Sequence, residues 1–446
     1  MLLPLAAGFA QEVPRNCDIE FPTGTNTVAR SVEISPGNRV AYLGRGVRAY
    51  CIGQGNNLTA DSAEYYESQG RLFLVGNVRY TEPRATVTSN TMTYYQNDNH
   101  LHAEGNVVAV MSNGSVLRGP SADYYRSTPT RPLQHLYAPG RPNVTLVQKD
   151  TTGRGKPPDT AHVVANTITM DGDSLVYAAG RVQITRPDLQ ATGDSAFLDS
   201  GRDFARLMRE PQVQGKGNQN NRNFTLTGGL IDVYSRNRQV ERVVATPTGH
   251  ALSQDLELVA DSIDLRVQTN QLQRAIAWGK TRARAVSPDR EIIADSIDAI
   301  MPQQRIREVR ATRNAYAESN PDSGIVSKQR DWMRGDTIVA HFDSLAATDT
   351  ASKPKIREIV ATGKASSFYQ MKSSKGPIDQ PSINYVRGRI IDILFDVGKV
   401  ATVTVTDKAT GVLIEPATAA APTTAKPATT TTQPKPPAAK PPGVRR

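Results

Sequence analysis

The sequence predicts an all-β chain, an elongated antiparallel stack of bent strand pairs, on three observations. A nine-residue string returns about ten times along the chain. Within each copy apolar and polar side chains alternate with the period of a half-buried strand, and not with the three-and-four spacing of a helix. The parity of that alternation then switches at a small-Asp-Ser step inside each copy, which a straight strand cannot do while keeping one face buried.

Composition agrees with a thin, extended core. Of 446 residues, 38% are hydrophobic and only 6% aromatic, low for a compact sphere of this size yet too high for wholesale disorder. The formal charge is +10, but Lys426, Lys435, Lys440, Arg445 and Arg446 lie in a terminal stretch without an acid, so the body is only mildly basic. No cluster of Arg and Lys interleaved with aromatics marks a nucleic-acid face, and nucleic acid is not an expected partner.

From the N-terminus, MLLPLAAGFA is apolar and ends in Gly8-Phe9-Ala10 before Gln11, the pattern of a secretory leader remnant over 1–10. No later apolar run is long enough to span a bilayer. Residues 11–57 read as an N-terminal cap with the first strands. The two cysteines, Cys17 and Cys51, both fall here, and after export to an oxidising compartment a single disulfide between them is expected.

The repeats occupy 58–415. The strings LTADSAEYY (58–66), VTSNTMTYY (87–95), LRGPSADYY (117–125), VVANTITMD (163–171) and ATGDSAFLD (191–199) align without gaps, as do LTGGLIDVY (226–234), LVADSIDLR (258–266), IIADSIDAI (292–300), MRGDTIVAH (333–341) and VRGRIIDIL (386–394). The third position is always small. Asp or Asn mostly follows, then Ser or Thr. A small residue lets the backbone fold sharply, and short polar side chains bond backbone N–H groups that the bend leaves unpaired.

Past the bend, one apolar column runs through Ala63, Met92, Ala122, Ile168, Ala196, Ile231, Ile263, Ile297, Ile338 and Ile391. A second, two residues on, runs through Tyr65, Tyr94, Tyr124, Met170, Leu198, Val233, Leu265, Ala299, Ala340 and Ile393. Both are expected to face inward. The positions between them, among them Glu64, Asp123, Asp232, Asp264, Asp298 and Asp392, are expected to face water.

Each copy is followed by a turn and a returning strand: RLFLVGNVRY (71–80), HLHAEGNVVAV (100–110) and SLVYAAGRVQI (174–184) early, LQRAIAWGKT (272–281), IREVRATRNA (306–315) and IREIVATGKA (356–365) late. Out, turn, back, turn is an antiparallel meander. Stacked bent hairpins give two sheets meeting along a corner, and at ~4.8 Å per strand about ten strand-pair repeats extend roughly 95 Å before twist is counted. Pro-, Gly-, Asn- and Ser-rich insertions at 126–160, 214–223, 318–331 and 370–383 read as surface loops, and 416–446 reads as a disordered Pro/Ala/Thr/Lys-rich tail.

The step A-D-S-A-x-Y-Y followed by L-x-x-x-G-N-V, at 60–66 and 72–78 and echoed at 101–107, resembles the OstA-like, or organic-solvent-tolerance-like, family of lipopolysaccharide-transport proteins. That resemblance implies a folded-over β-jellyroll in the periplasm, lipopolysaccharide or a similar glycolipid as cargo, and inner-membrane transporter and outer-membrane translocon complexes as partners. It places the cargo's acyl chains against Tyr65, Met92, Tyr94, Tyr124, Ile168, Met170, Leu198, Ile231, Val233, Ile263, Leu265, Ile297, Ile338, Ile391 and Ile393. Open ends of such a stack expose strand edges, so partners, or a second copy end to end, are expected near 39–50 and 386–414 by strand addition.

Catalysis is not expected, nor a cofactor. The row Asp61, Asp194, Asp261, Asp295 and Asp336 lacks the short Gly-rich period of calcium solenoids, His100 and His102 lack a visible third zinc ligand, and Gly153-Arg154-Gly155-Lys156 lacks the phosphate-loop frame. Two other readings compete with transport. A polysaccharide-acting β-solenoid enzyme would cluster acids and aromatics at a few layers, whereas here acids recur on every layer. A structural surface rod would keep the core closed and dry.

Overall fold

The computed structural model describes residues 19–22, 27–53, 55–148, 159–215, 224–236, 239–253, 256–302, 305–343, 354–373, 380–396 and 399–416. The expected leader, Cys17, and the tail from 417 lie outside the described residues. Every pairing among the described strands is antiparallel, and neighbours in the stack are neighbours in sequence or one hairpin apart.

The bend appears where the alternation changes parity. In Ala85–Tyr95 the buried residues are Ala85, Val87 and Ser89 before Asn90, then Met92 and Tyr94 after it. The returning strand Arg71–Glu82 pairs with it in two stretches, Val75↔Thr91 and Val78↔Ser89, so Gly76 and Asn77 oppose Asn90 alone. Two residues against one is a bulge, and both take the left-handed conformation, φ 79° and 47°. The same pair recurs at Gly105-Asn106, Gly180-Arg181, Arg313-Asn314 and Gly363-Lys364.

Each corner is locked to the next layer. Asp61 donates its N–H to the Gly76 carbonyl at 2.9 Å, and its carboxylate accepts from Asn77 Nδ2 at 2.8 Å. A Cβ on Gly76 would stand 2.3 Å from Asp61 Oδ2, so the space glycine leaves is where the aspartate sits. Asp261 accepts backbone N–H groups from Lys280 at 2.5 Å and Thr281 at 2.9 Å, the corner bonding expected of the aspartate column.

The corners divide the folded sheet into two faces. The first holds the segments beyond the forward bend, such as Ser62–Tyr66, and the second those before it, such as Asn57–Ala60. Their apolar sides face each other and form one continuous core from Leu43 to Ile393. Hydrophobic burial drives this closure, at about 25 cal/mol per Å² of apolar surface.

The outer side of the first sheet changes character along the stack. Early rungs carry rings in contact, Tyr95 with His100 at 5.1 Å, His100 with Tyr125 at 4.2 Å and Tyr177 with Phe197 at 5.0 Å. Later rungs carry ion pairs, Arg206 with Asp232 at 2.7 Å, Arg242 with Asp264 at 2.9 Å and Arg274 with Asp298. One expectation is corrected here: Asp232 and Asp264 lie on the outer side but are buried, because arginine side chains fold over them.

Among the described residues the stack ends in Val28–Ser35 and Ile19–Glu20 on one side, and in Lys399–Thr406 and Thr410–Ile414 on the other. Asn38–Gly44, within the stretch expected to form the free edge, is flanked on both sides, by Val28–Ser35 and Ser62–Tyr66. The exposed edge is therefore one strand earlier than the repeat pattern suggested.

Candidate functional site

The residues expected to line the interior converge there. Met92, Tyr94, Tyr124, Ile168, Met170, Leu198, Ile231, Val233, Ile263, Leu265, Ile297, Ile338, Ile391 and Ile393 are all buried between the sheets at 0 to 9% exposure. Tyr65 differs. It is only partly buried, its ring 5.8 Å from that of Phe21 and its hydroxyl donating to Gln96 at 3.4 Å.

The residues named as groove lining form one wall of this interior. Returning strands add Leu72, Leu74, Leu101, Leu136 and Val176 on the first sheet, and the second sheet adds Leu58, Val78, Tyr80, Leu117 and Val163. The signal was present: RLFLVGNVRY alternates with the same period on both sides of Gly76-Asn77.

The tyrosine pairs split as alternation requires. Tyr94 and Tyr124 point inward, while Tyr95 and Tyr125 stack on His100 outside. His100 Nε2 and His102 Nδ1 both lie 2.8 Å from one oxygen of Asp123, a shared hydrogen-bond partner on the outer face.

Facing side chains fill the interior. Tyr80 of the second sheet and Tyr124 of the first are 6.3 Å apart between ring centroids, and at exposures of 0 and 1% no water-sized space remains beside them. An acyl chain can enter only if the sheets part. A hollow of about 310 Å³ lies elsewhere, on the outer side of the second sheet, lined by Gln183, Thr185, Gln190, Thr192, Gln212 and Gln214. No carboxylate lines it, so it holds no acid pair of the kind glycoside hydrolysis uses.

The margin opposite the corner, where the two sheets meet solvent, carries polar groups. Glu82 is the last inward residue of Arg71–Glu82, and Arg126 continues the inward row of Ala122 and Tyr124 just past Val116–Tyr125. The Glu82 carboxylate accepts from Tyr80 Oη at 2.8 Å, from Arg126 Nε at 2.9 Å and from Tyr124 Oη. Carboxylate and guanidinium side chains are 8% and 15% exposed. Burial pushes the phenols of Tyr80, Tyr94 and Tyr124 upward, so all three stay protonated donors.

Further contacts tie the margins together. Arg84 donates to Gln134 at 3.2 Å, Gln134 to Asp173 at 2.8 Å, and Asn113 to the Asp173 carbonyl at 2.8 Å. Arg186, held by Asp188, reaches across to Ser235 at 3.3 Å. Cys51 is buried on the second sheet, its sulfur 3.8 Å from Tyr94 Oη. With Cys17 outside the described residues, its pairing with Cys51 stays a proposal.

Geometry thus defines a class, a folded two-sheet antiparallel β-jellyroll with a continuous apolar interior and a polar mouth. Residues 57–239 match the family described as LptA/(LptD N-terminal domain) LPS transport protein, the family that the corner motif of the sequence resembles. Among solved structures it resembles LptH, the LptA-homologous periplasmic component of the lipopolysaccharide transport device of Pseudomonas aeruginosa. That likeness is 17% identical, spans 35% of this chain and 83% of the other, and has a TM-score of 0.18, too low to support an inference. No curated protein matches the chain.

Proposed function

We propose that this chain is a periplasmic, non-enzymatic carrier that holds the acyl chains of lipopolysaccharide, or a similar glycolipid, between its two sheets while the sugar head projects from the mouth. One observation carries the reading: the apolar interior runs unbroken through every layer, in a chain whose residues 57–239 match an LPS-transport family. Each methylene transferred from water contributes about 0.8 kcal/mol, so several acyl chains supply a driving force toward parting the sheets. No covalent chemistry is needed, only a series of similar sites, with direction imposed by energised partners.

Handover follows from the ends. Val412, Leu413 and Ile414 are 55 to 57% exposed, and Val28 and Ile34 are 54% and 59% exposed, on strands that pair on one side among the described residues. Such edges accept a further strand. The inner-membrane transporter and the outer-membrane translocon are the proposed partners there, and a second copy end to end is the alternative use.

A photo-crosslinking residue at Ile263 or Ile297 is expected to capture lipopolysaccharide in living cells, and one at Arg274, on the outer face, is not. Capture at Arg274 alone, or at neither inner site, rejects the carrier reading. The dense packing of the interior also fits a ligand-free structural rod, and the same crosslink separates the two.

A further inference from the structure

The first half of the mouth is closed by a buried ion pair, an unusual choice. Replacing such a pair with packed apolar residues is commonly neutral or stabilising, because desolvating two charges offsets their attraction. This fold has the apolar solution available: Met111, the equivalent last inward residue of His100–Met111, is buried with an uncharged thioether side chain. Closure alone does not require Glu82 and Arg126.

What the cluster does build is an anion site. Arg126 Nε and the hydroxyls of Tyr80 and Tyr124 converge on one point from both sheets, and Arg126 also donates to the Tyr94 hydroxyl. Arg84, two residues past Glu82, adds a second cation close enough to act on Tyr124. A planar guanidinium with two phenol donors is a donor set that phosphate oxygens accept as readily as a carboxylate does. The anion occupying it is the protein's own Glu82, at the hairpin end where Glu82 pairs with Ala85.

We propose that Arg126, Tyr80 and Tyr124 form a phosphate-monoester site at the groove mouth, that Glu82 holds it shut as an internal anion, and that a phosphorylated glycolipid head displaces Glu82 and unlatches the two sheet margins. The proposal rests on the carrier reading for its ligand. Its chemistry follows from charge: a phosphate dianion competes with a single carboxylate for the same three donors, and the freed Glu82 is repelled outward with its hairpin. Arg186, Asp188 and Ser235 make a second crossing further along the same mouth, where the arginine stands on the opposite sheet.

The test uses the full chain and three probes: a bisphosphorylated lipid A-type glycolipid, the same lipid dephosphorylated, and inorganic phosphate. Glu82→Gln keeps an acceptor for both tyrosines and removes the competing charge. It is expected to tighten the phosphorylated lipid about tenfold and leave the dephosphorylated one unchanged. Glu82→Gln/Arg126→Gln removes the cation without stranding a buried charge, and is expected to abolish both the gain and the preference for phosphate.

Equal effects on both lipids, or a phosphate preference that survives in the double variant, overturns the latch. If no variant binds either lipid but Glu82→Gln binds inorganic phosphate, the anion site stands and the carrier reading falls. Tyr124→Phe, which removes one donor and no charge, is expected to weaken the phosphate preference part-way. An unchanged preference in that variant also counts against the site.

Discussion

Residues 57–239 and the stretch from 240 to 414 share one backbone plan and fill it differently. After each corner of the first region the returning strand sends in at least one larger side chain: Val78 and Tyr80, Val107 beside Ala109, Val182 and Ile184. At the same positions the second region has Ala283 and Ala285, Ala315 and Ala317, Ala365 and Ser367. The outer side of the first sheet changes along the stack as well, from rings in contact at Tyr125 and Phe197 to Arg–Asp pairs that begin at Arg206–Asp232, inside the first region, and continue at Arg242–Asp264. The corner is therefore the invariant of this architecture, while the filling between the sheets and the armour outside them vary freely around it.

Two substitutions of opposite sense give the largest effect expected from that contrast. Leu72→Ala in the first region removes a side chain with 0% exposure, and should cost about 2–5 kcal/mol by the cavity it leaves. Ala315→Leu in the second inserts volume opposite Gly335, and should cost about 1–3 kcal/mol by forcing the sheets apart. Chemical denaturation of each variant reads both. If Ala315→Leu proves neutral, the second region holds spare room and the contrast in filling does not set the sheet spacing.

The next effect belongs to a buried charge of the second region. Asp331 accepts the Gln370 N–H at 2.9 Å and its side-chain amide at 3.1 Å, yet burial pushes its carboxyl up to about 6. With the folded value above the unfolded one, this group favours the fold fully below about pH 4, and that contribution is lost as pH rises through about 6. Asp331→Asn should flatten the pH dependence of stability between those values, removing a change of about 3 kcal/mol. An unchanged slope would place the titration elsewhere.

The smallest effect tests the armour. Arg274 and Asp298 are 47% and 26% exposed, so Arg274→Ala should cost about 0.2–1 kcal/mol, and less in high salt. A loss well above that would mean the ladder acts as a coupled network, unlike the ring stack it replaces.

Much of this was readable before any coordinates. The parity switch at Ala60-Asp61-Ser62 and its repeats placed the bends, and the Ile263 and Ile297 columns placed one inner wall. The opposite wall was harder to see because its returning strands share no fixed spelling: Val78-Arg79-Tyr80 and Ala315-Tyr316-Ala317 do the same work. The free edge was placed one strand late because Val28–Ser35 lies outside the repeat and carries no corner motif. Asp264 looked solvated because alternation fixes which side of a sheet a residue occupies, not whether a neighbouring Arg242 folds over it.

By itself the sequence determined the period, the bends and the inward columns, since a strand's two-residue alternation and the needs of a tight corner are local. Tertiary structure alone decided that Glu82 meets Arg126 across the mouth, and that the interior closes at Tyr80 and Tyr124. Those partners are brought together by the accumulated twist and stagger of several strands between two sheets, and no short window of residues encodes that sum.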